Sequence, residues 1–134
     1  MTNETEKITI NLGVVELAQI DVLVEQGIYS NRSDFIRTAI RKDLEVHSDK
    51  IERQLIPIAS KAEWSTVIGI AMIGKSELEE FIGRNEKLNI SVIGVLVFKN
   101  DISTQLFEKA VGKVSLRGKL VASNEIKEVV ARME

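Results

Sequence analysis

The sequence predicts two domains: an α+β N-terminal module of one strand and two helices, complete only as an intertwined pair, and a C-terminal α/β domain of three strand-helix repeats of about 24 residues. Two observations carry this. Lys7-Ile8-Thr9-Ile10-Asn11-Leu12 alternates polar and apolar residues, and two stretches of helical spacing follow it. Farther along, Val67-Ile68-Gly69-Ile70-Ala71-Met72-Ile73, Val92-Ile93-Gly94-Val95-Leu96-Val97-Phe98 and Leu116-Arg117-Gly118-Lys119-Leu120-Val121-Ala122 align on their glycines at steps of 25 and 24. The boundaries read as 1–46 for the first domain, 47–63 for a helical extension or linker, and 64–134 for the second.

In the first strand, Ile8, Ile10 and Leu12 share one face, while Lys7, Thr9 and Asn11 share the other. Six residues alone cannot satisfy their backbone groups or hide that apolar face, so a second copy is expected beside them. Gly13 breaks the strand. Val14, Leu17, Ile20 and Val24 then form one stripe of a helix that Gly27 ends. Ser30 is the expected N-cap of the second helix, whose stripe is Phe35, Ile36, Ala39, Ile40 and Leu44. The stripe continues through Ile51 and Leu55, and the helix is expected to run on until Pro57, the only proline.

Strand, helix, short glycine-containing turn and helix, over residues 5 to 46, resemble the ribbon-helix-helix family of DNA-binding regulators. The most specific stretch is Tyr29-Ser30-Asn31-Arg32-Ser33-Asp34-Phe35-Ile36-Arg37, which is similar to the start of that family's second helix. One departure is Gly13, where a proline commonly follows the strand. The resemblance implies a homodimer whose paired strands enter the major groove of double-stranded DNA, with Lys7, Thr9 and Asn11 toward the bases. It also implies a phosphate held at the second helix start by Ser30, Asn31 and Arg32. The chemistry of these residues suits the roles: Lys donates to guanine, Asn both donates to and accepts from adenine, and Thr does either or touches a thymine methyl. Free amides and the positive end of a helix dipole favour an anion.

Beyond Pro57 each strand candidate precedes a helical stretch, with expected caps at Ser76 before Leu78, Phe81 and Ile82, at Asp101 before Leu106, Phe107 and Val111, and at Asn124 before Val129 and Val130. This order suits a small α/β solenoid or a parallel three-stranded layer. Residues sharing the glycines' face are apolar in all three strands, and right-handed crossovers would lay every helix there. The opposite face presents Ile68, Ile70, Met72, Ile93, Val95 and Val97, then Arg117, Lys119 and Val121. With no helix left to cover it, the apolar part is expected to be a subunit interface or, less favoured, a ligand-lined surface.

Composition narrows the function. Net charge is −2: before Gln54 seven Lys/Arg stand against ten Asp/Glu, and from Gln54 on eleven stand against ten. DNA binding must therefore rest on where Lys7, Arg32, Arg37 and Arg41 are placed, and tight non-specific binding is not expected. The acidic N-terminus has no apolar core for a signal peptide, and no run approaches the roughly 18 to 20 apolar residues of a membrane span, so a cytoplasmic address is expected. With no cysteine, disulfides, iron-sulfur clusters and thiol nucleophiles are excluded. The overall plan resembles the nickel-responsive repressors, but one histidine and no thiolate do not supply square-planar nickel ligands. No metal, cofactor or catalytic constellation is expected, His47 and Trp64 read as surface or packing residues, and a small effector is not legible. The reading is a dimeric or higher-order sequence-specific repressor. The rivals are an antitoxin whose C-terminal domain binds a toxin, which patterned strands in that domain disfavour, and a polymer-forming DNA-associated protein.

Overall fold

A computed structural model describes residues 5–56 and 63–133. The chain divides into two compact units, Met1–Ile51 and Glu52–Glu134. In the first, α1 (Val14–Glu25) and α2 (Arg32–Val46) follow an N-terminal arm. α1 ends where Gly27 adopts φ +77. There the Gly27 N–H donates to the Val24 carbonyl and the Ile28 N–H to the Leu23 carbonyl, each at 3.0 Å. Both orphan carbonyls are thereby satisfied, in a geometry glycine adopts without a β-carbon penalty.

The strand expected beside a second copy is not formed by the single chain, and the length expected of the second helix is corrected. Residues 7 to 12 form no strand within the single chain, because a strand exists only through a hydrogen-bonded neighbour, and residues 5 to 13 stand without secondary structure. The second helix does not run on through Ile51 and Leu55. The His47 ring Nδ1 bonds to the Asp43 carbonyl at 2.9 Å, the acceptor a continuing helix would need. The His47 N–H turns instead to the Leu44 carbonyl at 3.2 Å, and a short α3 (Ser48–Glu52) follows. The stop expected at Pro57 lies outside the described residues.

The second unit has the order β1 (Ser65–Ile73), α4 (Lys75–Gly83), β2 (Leu88–Phe98), α5 (Thr104–Ala110), β3 (Val111–Val121) and α6 (Asn124–Met133). The strands form one parallel sheet, β1-β2-β3. Gly69 pairs with Gly94, and Gly94 with Gly118, so the glycines form a row across the sheet. Their φ values are +132, +137 and +136, a region in which L side chains are strained. A β-carbon at Gly94 would overlap the Gly69 carbonyl, and one at Gly118 the Gly94 carbonyl, whereas Gly69 has open space.

All three helices pack on the glycines' face. Leu78 from α4, Phe107 from α5 and Ile126 from α6 join Val92, Leu96 and Phe98 in one buried core. Phe98 meets Phe107 edge to face at 5.0 Å. On the reverse face Ile68, Ile70 and Met72 are each about half exposed. Near the start of β2 the buried Ser91 hydroxyl donates to the carbonyl of the buried Leu55.

The helix starts differ from the expected caps. Gly74, not Ser76, precedes α4, with its N–H donating to the Glu77 carboxylate at 2.9 Å. Ser103 caps α5 by accepting the Leu106 N–H at 3.1 Å, while Asp101 accepts from the Lys75 N–H at the start of a different helix. Ser123 caps α6, and Asn124 is its first residue. Val111 belongs to no helix: β3 begins there directly after α5, and a bulge at Gly112 lets Leu88 pair with Val111 and Asn89 with Lys113.

The row distinguishes its members. Gly94→Ala combines positive φ with overlap and should cost about 3 kcal/mol or more in urea unfolding followed by circular dichroism. Gly69→Ala carries only the backbone strain and should cost about 1 to 2 kcal/mol. Equal costs would show that the close approach between strands contributes nothing.

Candidate nucleic-acid interface

Lys7, Thr9 and Asn11 all lie on the exposed N-terminal arm. The apolar positions between them are also open: Ile8 is 76% exposed and Ile10 57%. Ile10 and Leu12 nevertheless border a groove of about 410 Å³ whose other walls include Ile20, Leu23, Phe35 and Ile40. Of α1 and α2, only Ile20 is buried. Val14 and Val15 at the start of α1, and Leu44 and Val46 at the end of α2, are exposed. A helix apolar on several sides is one built to be covered.

Ser30, Asn31 and Arg32 come together where α2 begins. Asn31, not Ser30, is the N-cap: its extended backbone lets the side-chain oxygen accept the Asp34 N–H at 2.8 Å. Asp34 returns the bond, its carboxylate accepting the Ser30 N–H at 3.0 Å. The Ser30 N–H is thus already engaged within the turn. As the first helical residues, Arg32 and Ser33 have backbone N–H groups with no partner inside the helix. Tyr29 packs edge to face on Phe35 at 5.1 Å and fixes the entry of the chain into this turn.

The Arg32 guanidinium is engaged as well. Its Nε donates to Asp21 Oδ1 at 2.8 Å and its Nη2 to Oδ2 at 2.9 Å. Those hydrogen bonds hold the Asp21 carboxyl below its ordinary range and raise Arg32 further. Sequence reasoning missed Asp21. Eleven residues separate it from Arg32, and only the return of α2 beside α1 brings the two together.

The proposed assembly surface has a defined layout. Ile68, Ile70 and Met72 on β1 neighbour Ile93, Val95 and Val97 on β2 in direct register. Arg117 and Lys119 follow on β3, paired with Ile93 and Val95. The residues of β2 are half-buried and those two of β3 exposed. Among the described residues no group of three or more His, Asp or Glu is placed to hold a metal ion, and no helix is long and apolar enough to cross a membrane.

An arm with one polar and one apolar edge, then two helices joined by a glycine turn and a capped helix start, is the build of a DNA-binding transcriptional regulator. The chain belongs to the Ribbon-Helix-Helix transcriptional regulator family, which it matches over residues 3–127. It is 33% identical over 45 residues to "Transcriptional regulator CdrS" of Halobacterium salinarum (strain ATCC 700922 / JCM 11081 / NRC-1), an alignment covering 34% of this chain and 82% of that relative. No solved structure matches it.

The cap assignment has a direct check. Asn31→Ala should lower stability by about 1 kcal/mol in thermal unfolding, while Ser30→Ala, which keeps the engaged backbone N–H, should change it by less than about 0.5 kcal/mol. The reverse order would return the cap to Ser30.

Proposed function

We propose that this protein is a sequence-specific repressor that binds double-stranded DNA as an intertwined homodimer and joins dimers through its C-terminal unit. The observation that carries the reading is the open apolar surface of the first unit, where Ile10 and Leu12 border an unfilled groove. A second copy supplies both what fills that surface and the strand that residues 7 to 12 lack. Pairing two arms antiparallel makes a two-stranded ribbon, whose width suits the major groove.

In the ribbon, Ile8, Ile10 and Leu12 turn toward the helices and Lys7, Thr9 and Asn11 toward the base edges. Lys7 donates to guanine O6 or N7, Asn11 pairs with adenine through donor and acceptor together, and Thr9 accepts, donates or meets a thymine methyl. The start of α2 takes the phosphate, with the Arg32 amide and guanidinium as donors and Ser30 and Asn31 flanking it. Occupancy of the site excludes other proteins from the same duplex, which is the simplest route to repression.

The sheet face of Ile68, Ile70, Met72, Ile93, Val95 and Val97 then brings dimers together on neighbouring half-sites. Linked sites raise the effective concentration of the second dimer, which offsets the weak general attraction expected of an acidic chain.

Sequencing of genomic fragments retained by the protein should reveal one recurrent motif. On that motif Asn11→Ala should relax discrimination at one base position, at about 1 to 3 kcal/mol. Arg32→Ala should weaken all sequences alike and lower the salt slope by about 1. Uniform loss from both would remove the base-reading role of Asn11. For assembly, Ile70→Glu with Val95→Glu in the full chain should reduce the mass seen by light scattering to that of a dimer while leaving the unfolding temperature of the C-terminal unit in place. An unchanged higher mass would overturn the role of this face.

A further inference from the structure

We infer that Asp21 is a built-in competitor for the DNA phosphate: its carboxylate occupies the Arg32 fork that a phosphate would take, and so sets how firmly the protein grips a duplex of any sequence. The inference rests on the proposed DNA-binding reading and deepens it. The geometry is two parallel bonds, Nε to Oδ1 at 2.8 Å and Nη2 to Oδ2 at 2.9 Å. A guanidinium offers this same pair of N–H groups to two phosphate oxygens, and the two anions cannot both have it.

The pair stands in solvent, with the Arg32 side chain 55% and the Asp21 side chain 40% exposed. An exposed ion pair adds little to stability, so folding alone does not explain a bidentate pair at this place. Its position is telling. Arg32 is the first residue of α2, beside the Asn31 cap, and Asp34 on the same turn already directs its carboxylate to the Ser30 N–H. Asp21 thus holds the Arg32 guanidinium and Asp34 the Ser30 N–H. A phosphate arriving at this helix start must displace Asp21 from Arg32 and then lie near the displaced charge. General attraction to DNA is held down, and stable occupancy is left to contacts that read bases.

The test measures binding of a fluorescently labelled random-sequence duplex by anisotropy over a range of salt, for the wild type, Asp21→Asn, Asp21→Glu, Arg32→Ala and the double variant Asp21→Asn/Arg32→Ala. Asp21→Asn should bind about two- to fivefold tighter at about 0.1 M salt, the range an exposed ion pair spans. Its plot of log affinity against log salt should steepen, by less than the one phosphate contact that Arg32 supplies in all. Asp21→Glu keeps the competing charge and should stay near the wild type. The gain should vanish when Arg32 is absent.

Weaker binding by Asp21→Asn, with circular dichroism unchanged, would mean that Asp21 supports the site and would overturn the inference. An equal gain in the Arg32→Ala background would reduce the effect to net charge and overturn it too. A wild type that binds neither this duplex nor any motif retained from genomic fragments would overturn the DNA-binding reading with it. A wild type that binds and gains nothing from Asp21→Asn would overturn this inference alone.

Discussion

Two helices and a short N-terminal arm have too little bulk to hide their own apolar side chains, and this shortage governs the first unit. Small domains bury a low fraction of their surface, and a module of about 50 residues sits near the limit for independent stability. Here Ile20 is the single residue of α1 and α2 to reach the interior, while Val14, Val15, Val46 and Leu44 remain in solvent. Burying a side chain of this size stabilises by about 1.5 to 3 kcal/mol, so leaving several exposed forgoes most of what such a unit can gain. The same open surface makes the arm's hydrogen-bonding potential available. The second copy proposed above would serve the arm's backbone groups and its apolar edge together.

The second unit solves its own burial problem and leaves a different surface over. Its helices all lie on the face that Val92, Leu96 and Phe98 present, and the core of Leu96, Phe98, Phe107 and Leu78 is fully enclosed. The cost of that arrangement is a sheet with one covered face, whereas parallel sheets are ordinarily buried on both. Burial fixes the register, because sliding one strand by a residue would turn its core side chains, Val92, Leu96 and Phe98 in β2, to the open face. A sheet so fixed in register presents Ile68, Ile70 and Met72 beside Ile93, Val95 and Val97 as a stable pattern.

Much of this was legible in the sequence, and what was not had tertiary causes. Steps of 25 and 24 between Gly69, Gly94 and Gly118 gave the strands and their alignment, because a residue type demanded by backbone conformation recurs at fixed register. Gly27 was legible as a helix end for the same reason. Helix starts were misread by one or two residues wherever several polar side chains competed for the cap, as at Ser30 and Asn31, or where a remote side chain took part, as Asp101 does for Lys75. His47 interrupts a helix that periodicity would continue, through a local bond to the Asp43 carbonyl that no apolar pattern reveals. Of the candidate site, sequence reasoning reached the residue types and their order along the arm and the turn. It could not reach the partner of Arg32, since the contact with Asp21 exists only once α2 has folded back.

That contact bears on the chain's acidic balance. A DNA-binding protein commonly gathers cations, and each phosphate it neutralises adds affinity for every sequence alike. Such affinity spreads a regulator over competing sites, and what matters for regulation is the ratio of specific to general binding. Where the N-terminal half carries ten acidic against seven basic residues, general attraction is weak from the outset. By the inference above, the acid held on the one arginine at the start of α2 would weaken it further where a phosphate would engage. Under those conditions a duplex would be retained chiefly when base contacts along the proposed ribbon add to the backbone contacts. The negative charge that argues against a general DNA binder is thus consistent with a selective one.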